Sequence, residues 1–298
     1  MHELQDIIRR FARPLEPLST GVEPRLRPLP GIRAVLFDVY GTLVISPAGE
    51  IGTATPEARG GAFRESLAAV GLRCHDGRAG VERYVATIES FHAEQRRQGT
   101  DHPEVDILEV WSQTLRSLRD DGLCEEQSRG VSPRTAHLER LTVQYESRTN
   151  PVWPMPGCRR CLAFAVETGR LVGLVSNAQF FTPLLFPALF GQDLDQLGVD
   201  PQLRFFSFES LQAKPGTFLF ERAREAVSAR GIEPERAIYV GNDLLNDVAT
   251  AAAVGFRTAL FAGDARSLRL REDDERVAGV VPDLVLTDLR QLPGCLPR

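Results

Sequence analysis

Lysine is nearly absent from this chain, which makes its single occurrence informative. Of the 35 lysine and arginine residues, only Lys214 is a lysine. Lysine carries a compact charge on a flexible stem, so it fits between two close anionic groups where the wide guanidinium of arginine does not. An apolar run at 205–208 precedes Lys214, and a helical pattern follows it from residue 217. Because open α/β sheets carry ligand-binding side chains in such strand-to-helix loops, Lys214 is a candidate site residue.

Three further segments repeat this order of apolar run, polar residues and helix. They are residues 34–37 followed by Asp38, residues 171–175 followed by Ser176 and Asn177, and residues 237–240 followed by Gly241, Asn242, Asp243 and Asp247. Continuous apolar runs are typical of parallel strands buried on both faces, whose carboxyl ends lie along one edge of the sheet. We therefore expect an aspartate, a serine, the lysine and a pair of carboxylates to converge at that edge.

The four segments, taken in order, resemble the haloacid dehalogenase (HAD) superfamily of aspartate-nucleophile hydrolases. The matching motifs lie within residues 31–48 and 165–262, and comprise Asp38-x-x-Gly-Thr, Ser176, Lys214-Pro215 and the acidic loop that ends at Asp247. The resemblance implies an α/β fold with a Rossmann-like parallel sheet core flanked by helices. It also implies an inserted all-helical cap domain over the active site.

The resemblance assigns catalysis to Asp38 and Lys214. Asp38 would be the nucleophile and would form a covalent aspartyl intermediate. A lysine charge near Asp38 lowers the pKa of its carboxyl and so keeps it ionised, and it also neutralises an incoming anion.

Four residues are candidates for binding the substrate anion. Ser176 and Asn177 follow their strand directly, where a hydroxyl, an amide and backbone N–H groups can hold an anionic oxygen. They can also cap the next helix. Gly41 and Thr42 fit a tight turn that brings backbone donors to the same place.

The fourth motif predicts a magnesium site. The commonest family pattern starts Gly-Asp, but here an asparagine follows the glycine, and Asp243 and Asp247 stand four residues apart. Mg²⁺ prefers hard oxygen ligands, so we expect Asp38, the Tyr40 backbone carbonyl and Asp243 to hold it. Asp247 would orient Lys214 or a metal-bound water. The alternative is a helix start in which Asp243 is the cap.

Tyr40 occupies the position where phosphatases of the superfamily carry a general-acid aspartate. A tyrosine, with an ordinary pKa of about 10, is poorly matched to acid–base work at neutral pH. The dehalogenases of the superfamily carry tyrosine here, because halide departs as a stable anion. Tyr40 therefore favours dehalogenation, whereas Asp243 and Asp247 favour phosphoryl transfer. We predict a magnesium-dependent phosphatase of a small phosphorylated compound, with a 2-haloacid dehalogenase as the alternative and a catalytically impaired HAD-fold binding module as a third possibility.

Length and hydropathy predict one core interrupted by an insertion. The chain has 298 residues, of which 43% are hydrophobic, enough for a sizeable core. The predicted division is a Pro-rich extension (1–30), the first part of the core (31–50), a helical cap (51–150) and the second part of the core (151–298). Between the first two motifs the apolar residues recur three or four apart, as in Leu108, Trp111, Leu115 and Leu118.

Net charge and hydropathy limit the classes of partner that we expect the protein to bind. A net charge of −5 argues against nucleic acid or an acidic membrane surface. No apolar run approaches the roughly 20 residues that a bilayer span needs. We therefore expect a cytoplasmic monomer or homodimer that acts on a small molecule.

Overall fold

A computed structural model of the chain describes residues 2–46, 56–126 and 135–297. Its strands are β1 (Ala34–Phe37), β2 (Val44–Ile45), β3 (Leu72–Cys74), β4 (Cys124–Glu126), β5 (Trp153–Pro154), β6 (Leu171–Ser176), β7 (Val199–Phe206), β8 (Ala237–Gly241), β9 (Arg257–Phe261) and β10 (Leu284–Leu286). Its α-helices are α1 (His2–Phe11), α2 (Pro56–Ala68), α3 (Gly77–Arg97), α4 (Ile107–Asp120), α5 (Thr135–Thr149), α6 (Cys158–Glu167), α7 (Thr182–Leu189), α8 (Ser207–Ser210), α9 (Phe218–Ser228), α10 (Thr250–Ala253) and α11 (Leu292–Cys295). A π-helical turn, Leu244–Ala249, follows β8.

The central sheet has six parallel strands in the order β10-β9-β8-β1-β6-β7. Alternate residues of β1 point to opposite faces, as strand geometry requires. Val35 and Phe37 pack in the apolar cluster that includes α1, α6 and α7, whereas Ala34 and Leu36 pack with α9. Both faces are thus covered by helices, and the predicted α/β fold with a Rossmann-like sheet is confirmed.

The register brings three strand ends together. Phe37, the last residue of β1, lies opposite Leu174 of β6 and Val240 of β8. The residues that follow these strands therefore emerge side by side at one edge, as the motif order predicts. Lys214 reaches the same edge from the loop between α8 and α9.

The insertion between β2 and β5 has its own apolar core. Helices α2 to α5 enclose the aromatic side chains Phe63, Tyr84, Trp111 and Tyr145. The Trp111 ring lies 4.6 Å from Tyr84 and 5.3 Å from Phe63, centroid to centroid. The segment is not all-helical, because β3 and β4 form an antiparallel pair within it. The predicted boundary between residues 50 and 51 lies outside the described residues.

The first 30 residues contain a helix that the proline pattern did not predict. Leu4, Ile7 and Ile8 of α1 are buried in the main apolar cluster. Beyond α1 the chain is extended, and the backbone of Arg25 exchanges two hydrogen bonds with Val285 of β10. Within the described ranges, no helix is both long and apolar enough to cross a membrane.

Trp111→Ala tests how far the insertion contributes to stability. Trp111 is fully buried, so removing its ring leaves a cavity, and we expect the free energy of unfolding to fall by about 3 to 5 kcal/mol in urea titrations. Val281→Ala, at a side chain that is 68% exposed, is the control and should change it little. An equally small change for Trp111→Ala would mean that the insertion folds independently of its aromatic cluster.

Candidate active site

A cavity of about 330 Å³ lies where the strand ends meet the insertion. Its lining comprises Asp38, Tyr40, Ser46, Glu104, Glu146, Asn150, Asn177, Ala178, Gln179, Phe181, Lys214, Asn242, Asp243, Asn246, Asp247 and Arg269. The sheet edge supplies most of these residues, and the insertion with its flanks supplies Glu104, Glu146 and Asn150. The cavity is therefore bounded by both parts of the fold.

Lys214 lies between two carboxylates at the floor of the cavity. Its Nζ donates to Asp38 Oδ1 at 2.8 Å and to Asp247 Oδ1 at 2.6 Å. A third bond, 3.1 Å long, reaches the hydroxyl of Tyr239. Burial alone would lower the pKa of Lys214, but the charges of Asp247 and Asp38 outweigh it and hold that pKa above its ordinary value. Lys214 therefore remains cationic beside the Asp38 carboxyl.

The two carboxylate oxygens of Asp38 differ in their hydrogen bonds. Ser176 Oγ donates to Asp38 Oδ1 at 2.9 Å, the same oxygen that Lys214 contacts. The Asp38 side chain is buried, with 9% exposure. Both bonds therefore converge on Oδ1, and neither involves Oδ2.

The four predicted anion-binding residues mainly hold the loops in place. Asn177 Oδ1 accepts from the Lys214 backbone N–H at 2.7 Å, and its amide donates to the Lys214 carbonyl at 3.0 Å. Ser176 is bonded to Asp38, as described above. The Gly41 N–H donates to Val44 O within the turn, and Thr42 Oγ1 donates to Asn242 Oδ1 at 3.1 Å. These groups position the nucleophile and the lysine, and the expectation that they bind an anion directly stays a prediction.

Two glycines permit close packing at the edge. Gly41 has a φ of +82°, and a Cβ there would lie 2.6 Å from Ser267 Cβ, so a larger residue would be strained. A Cβ on Gly241 would lie 2.4 Å from Asp247 Cγ. Glycine at the end of β8 thus allows the Asp247 carboxylate to lie against the strand and reach Lys214.

Tyr40 follows Asp38 by two residues and lines the same cavity. Its hydroxyl is 3.0 Å from Thr182 Oγ1. Burial raises the pKa of Tyr40 well above its ordinary value, and the charges of Glu146 and Asp38 add to the rise. The hydroxyl therefore stays neutral, and the expectation that it is a poor acid–base group stays a prediction.

Asp243 caps the turn after β8 and forms an ion pair that the sequence did not indicate. Its Oδ1 accepts the backbone N–H groups of Leu245 and Asn246 at 2.9 and 3.0 Å. The guanidinium of Arg271 contacts both carboxylate oxygens, at 2.6 Å for the closest pair. The bonds to Leu245 and Asn246 match the alternative interpretation, in which Asp243 caps the start of a helix.

The predicted magnesium ligands line one cavity, but protein donors occupy most of their carboxylate oxygens. Asp243 is engaged as just described, Asp247 Oδ1 accepts from Lys214, and Asp247 Oδ2 accepts the Asp243 N–H at 2.9 Å. In the described part of the chain, no three His, Cys, Asp or Glu side chains form a group suited to a metal ion. Of the set Asp38, Tyr40, Asp243 and Asp247, only Asp38 keeps a carboxylate oxygen outside these bonds, so the residues do not fit Mg²⁺ in this arrangement.

Arg271, Glu104 and Glu146 were not among the residues predicted from the sequence. Arg271 lies in a charged run, 271–276, which typically indicates a solvated loop. Glu104 is bonded to Ser207 Oγ at 2.7 Å and to Gln179 Nε2 at 3.1 Å. No local pattern marks them, because each reaches the site only through contacts that are distant in sequence.

Comparisons with known proteins agree with this architecture. A HAD-hydrolase-like family model matches residues 212–292. No curated relative matches the chain. A structure titled as a dehalogenase with intermediate complex is similar at 15% identity and a TM-score of 0.50, covering 91% of this chain and 99% of its own.

Two further solved structures represent the two chemistries considered above. The 2-haloacid dehalogenase from Pseudomonas syringae pv. Tomato DC3000 is 17% identical, covers 89% of this chain and 97% of its own, and has a TM-score of 0.53. The HAD phosphatase from Thermococcus onnurineus is 18% identical, covers 88% of this chain and 97% of its own, and has a TM-score of 0.50. At such identities the likeness concerns the fold, and it does not separate the two chemistries. The solved structures therefore support the fold, and the HAD-hydrolase-like family model matches the part of the chain that carries Lys214, Asp243 and Asp247.

Proposed function

We propose that the protein is a metal-independent hydrolase in which Asp38 displaces a leaving group that departs without a proton, as in 2-haloacid dehalogenation. The observation that carries this proposal is the ion pair between Arg271 and Asp243. In the predicted phosphatase, Asp243 would share a metal with Asp38. Here its charge is already neutralised by a guanidinium, and its oxygens are taken by protein donors.

The charge balance of the site favours a substrate with one negative charge. The cavity lining carries the carboxyls of Asp38, Glu104, Glu146, Asp243 and Asp247, and the cations set against them are Lys214, Arg269 and Arg271, which pairs with Asp243. A phosphate ester would add a charge of about −2, and without a metal that charge would face buried carboxylates at a high desolvation cost. A haloacid carboxylate adds only one charge.

The chemistry of the first step follows from the Asp38 geometry. Lys214 and Ser176 fix Oδ1, so Oδ2 attacks the carbon that bears the halogen. The Oδ2–C bond forms, the C–halogen bond breaks, and halide leaves with the electron pair. No proton is transferred, which is compatible with a neutral Tyr40 at the general-acid position. Water then hydrolyses the resulting ester and releases the hydroxy acid.

The helical insertion is proposed to act as a cap. Its loop 102–105 is tied to the core, since the Glu104 N–H donates to Leu211 O and the Ala213 N–H donates to His102 O. At the other end, Ser46 Oγ donates to Asn150 Oδ1 at 2.9 Å. These contacts flank the cavity, and a closed cavity excludes water from the first step. The proposed division remains 1–30, 31–50, 51–150 and 151–298.

The second candidate is the magnesium-dependent phosphatase that the sequence favours. The spacing of Asp243 and Asp247 supports it, but Arg271 would first have to release Asp243. The two candidates therefore differ in their need for a metal.

Side-by-side assays separate the candidates. We expect halide release from 2-chloropropanoate to be the same with EDTA as with Mg²⁺, because the site holds its own counter-charges. We expect no phosphate release from p-nitrophenyl phosphate above that of Asp38→Asn, which removes the nucleophile. Phosphate release that requires Mg²⁺, without halide release, would establish the phosphatase instead.

Lys214→Arg should lower kcat at least about 100-fold although it preserves charge. The planar guanidinium is too wide for the gap between Asp38 Oδ1 and Asp247 Oδ1, where Nζ makes bonds of 2.8 and 2.6 Å. The converse exchange at an exposed ion pair, Arg276→Lys, is the control and should leave kcat unchanged. Near-normal kcat in Lys214→Arg would show that any cation suffices there.

Arg271→Ala should weaken binding of an anionic substrate. The change leaves Asp243 as an unpaired buried carboxylate beside the cavity, and we expect KM for 2-chloropropanoate to rise about tenfold, ~1.4 kcal/mol. Arg276→Ala, in the same loop but with a 60% exposed side chain, is the matched control. An unchanged KM would show that Arg271 does not compensate charge at the site, whereas new Mg²⁺-dependent phosphate release would show that it occupies the place of a metal.

A further inference from the structure

Hydrolysis of an ester on Asp38 requires a proton acceptor, and the residues after the strands do not provide one. Tyr40 and Lys214 both hold their protons, since the pKa of each is raised. The carboxylate of Asp247 is bonded to Lys214 and to a backbone N–H, and that of Asp243 is bonded to Arg271. The base must therefore come from another wall of the cavity.

Glu146 of α5 lines the same cavity as Asp38 and Tyr40. It is half-buried, and its charge acts on the Tyr40 hydroxyl. Its position is fixed by the end of α5, where the side chain of Asn150 bonds both Glu146 and Ser46. Because Ser46 directly follows β2, this contact ties the carboxyl of Glu146 to the segment that begins with the nucleophile.

Glu104 is the other acidic residue that the insertion contributes to the cavity, but its oxygens are occupied. Oε1 accepts from the Val105 N–H at 2.9 Å and from Gln179, and Oε2 accepts from Ser207. Burial raises the pKa of Glu104 above its ordinary value, these bonds oppose that rise, and they attach the insertion to the core. In the described residues, no ion pair involves Glu146. Glu104 is therefore held by hydrogen bonds on both oxygens, which makes Glu146 the candidate for exchanging a proton.

We propose that Glu146 is the general base, and then the general acid, for hydrolysis of the Asp38 ester. The inference rests on the proposed function, because it concerns the second step of that reaction. Water attacks Cγ of Asp38 as its proton passes to the Glu146 carboxylate. When the tetrahedral intermediate collapses, the Cγ–O bond to the substrate breaks and Glu146 returns the proton to the departing alkoxide. Asp38 regains its carboxylate by losing the proton of the added hydroxyl to solvent.

The surroundings of Glu146 suit such a shuttle. Burial raises the pKa of Glu146 to about 7, and the bond from Asn150 only partly opposes the rise. Both protonation states are then present at neutral pH, as a group that acts first as base and then as acid requires. The titratable and charged groups nearby are Tyr40 and Asp38 from the loop after β1, Tyr84 from α3, Tyr145 from α5, and Arg59 from α2, which faces the two tyrosines of the insertion.

Glu146→Gln tests the proposal because the two steps of the reaction give separate signals. We expect rapid mixing with 2-chloropropanoate to show a burst of about one halide per protein at the wild-type rate, followed by turnover roughly 100-fold slower than wild type. Mass spectrometry of the stalled protein should find the Asp38 peptide carrying the substrate ester. Glu139→Gln is the matched control, since Glu139 lies on the same helix and outside the cavity lining, and it should behave as wild type.

Thermal unfolding shows whether the variant is folded and whether the carboxyl is buried as described. A raised folded-state pKa makes ionisation of Glu146 unfavourable to folding, so the penalty is absent at low pH and complete above about pH 7. The melting temperature of Glu146→Gln minus that of wild type should therefore be larger at about pH 8 than at about pH 5. A uniform loss at both pH values would instead assign Glu146 a purely structural role and overturn the proposal.

Two other outcomes would also overturn it. Steady-state turnover of Glu146→Gln comparable to wild type would show that another group activates the water. Burst and steady-state rates that fall together, without ester on Asp38, would place Glu146 in the first step. If wild-type protein releases no halide and Asp38 is never labelled, the proposed function fails and the inference fails with it. The wild-type measurement therefore separates failure of the proposed function from failure of the Glu146 inference alone.

Discussion

The site depends on one buried cation held between two buried carboxylates. Lys214 Nζ contacts Asp38 and Asp247 at 2.8 and 2.6 Å, and the three side chains are almost fully enclosed. Buried charges carry a large desolvation penalty unless they are paired and hydrogen-bonded. The pairing therefore fixes how the ends of β1 and β8 and the loop before α9 must meet. Asn177 holds that loop through both backbone groups of Lys214, and glycine at residue 241 leaves room for Asp247.

A second ion pair, between Arg271 and Asp243, lies at the same edge of the sheet. Arg271 neutralises Asp243, the carboxylate that would otherwise complete a magnesium site with Asp38. In the function proposed above, this guanidinium takes the place of a metal. Its charge is fixed in place and smaller than that of Mg²⁺, which is why the proposal is a monoanionic substrate and a leaving group that needs no proton. Tyr40, neutral and bonded to Thr182, is consistent with the same chemistry.

The insertion completes the site. Its contacts with the core lie directly beside the catalytic loops, at Leu211 and Ala213 just before Lys214 and at Ser46 just after β2. These contacts carry Glu104 and Glu146 to the cavity wall. Glu104 is hydrogen-bonded to Ser207 and Gln179 of the core, whereas Glu146 is the residue that we propose as the base. The different hydrogen-bond partners of these two carboxyls are the reason for proposing different roles.

The sequence by itself determined the sheet, the order of its motifs and the convergence of Asp38, Ser176, Lys214 and Asp247, because apolar runs that end in polar residues specify parallel strands whose carboxyl ends share an edge. It also marked Tyr40 as a poor acid. Only the tertiary structure decided the partners of each carboxylate. Arg271 is 28 residues from Asp243 and Glu146 is on a different part of the fold from Asp38, and no local periodicity encodes such pairs. Charge compensation depends on which side chains meet in space, so the ion pair between Arg271 and Asp243 became visible only in the folded chain.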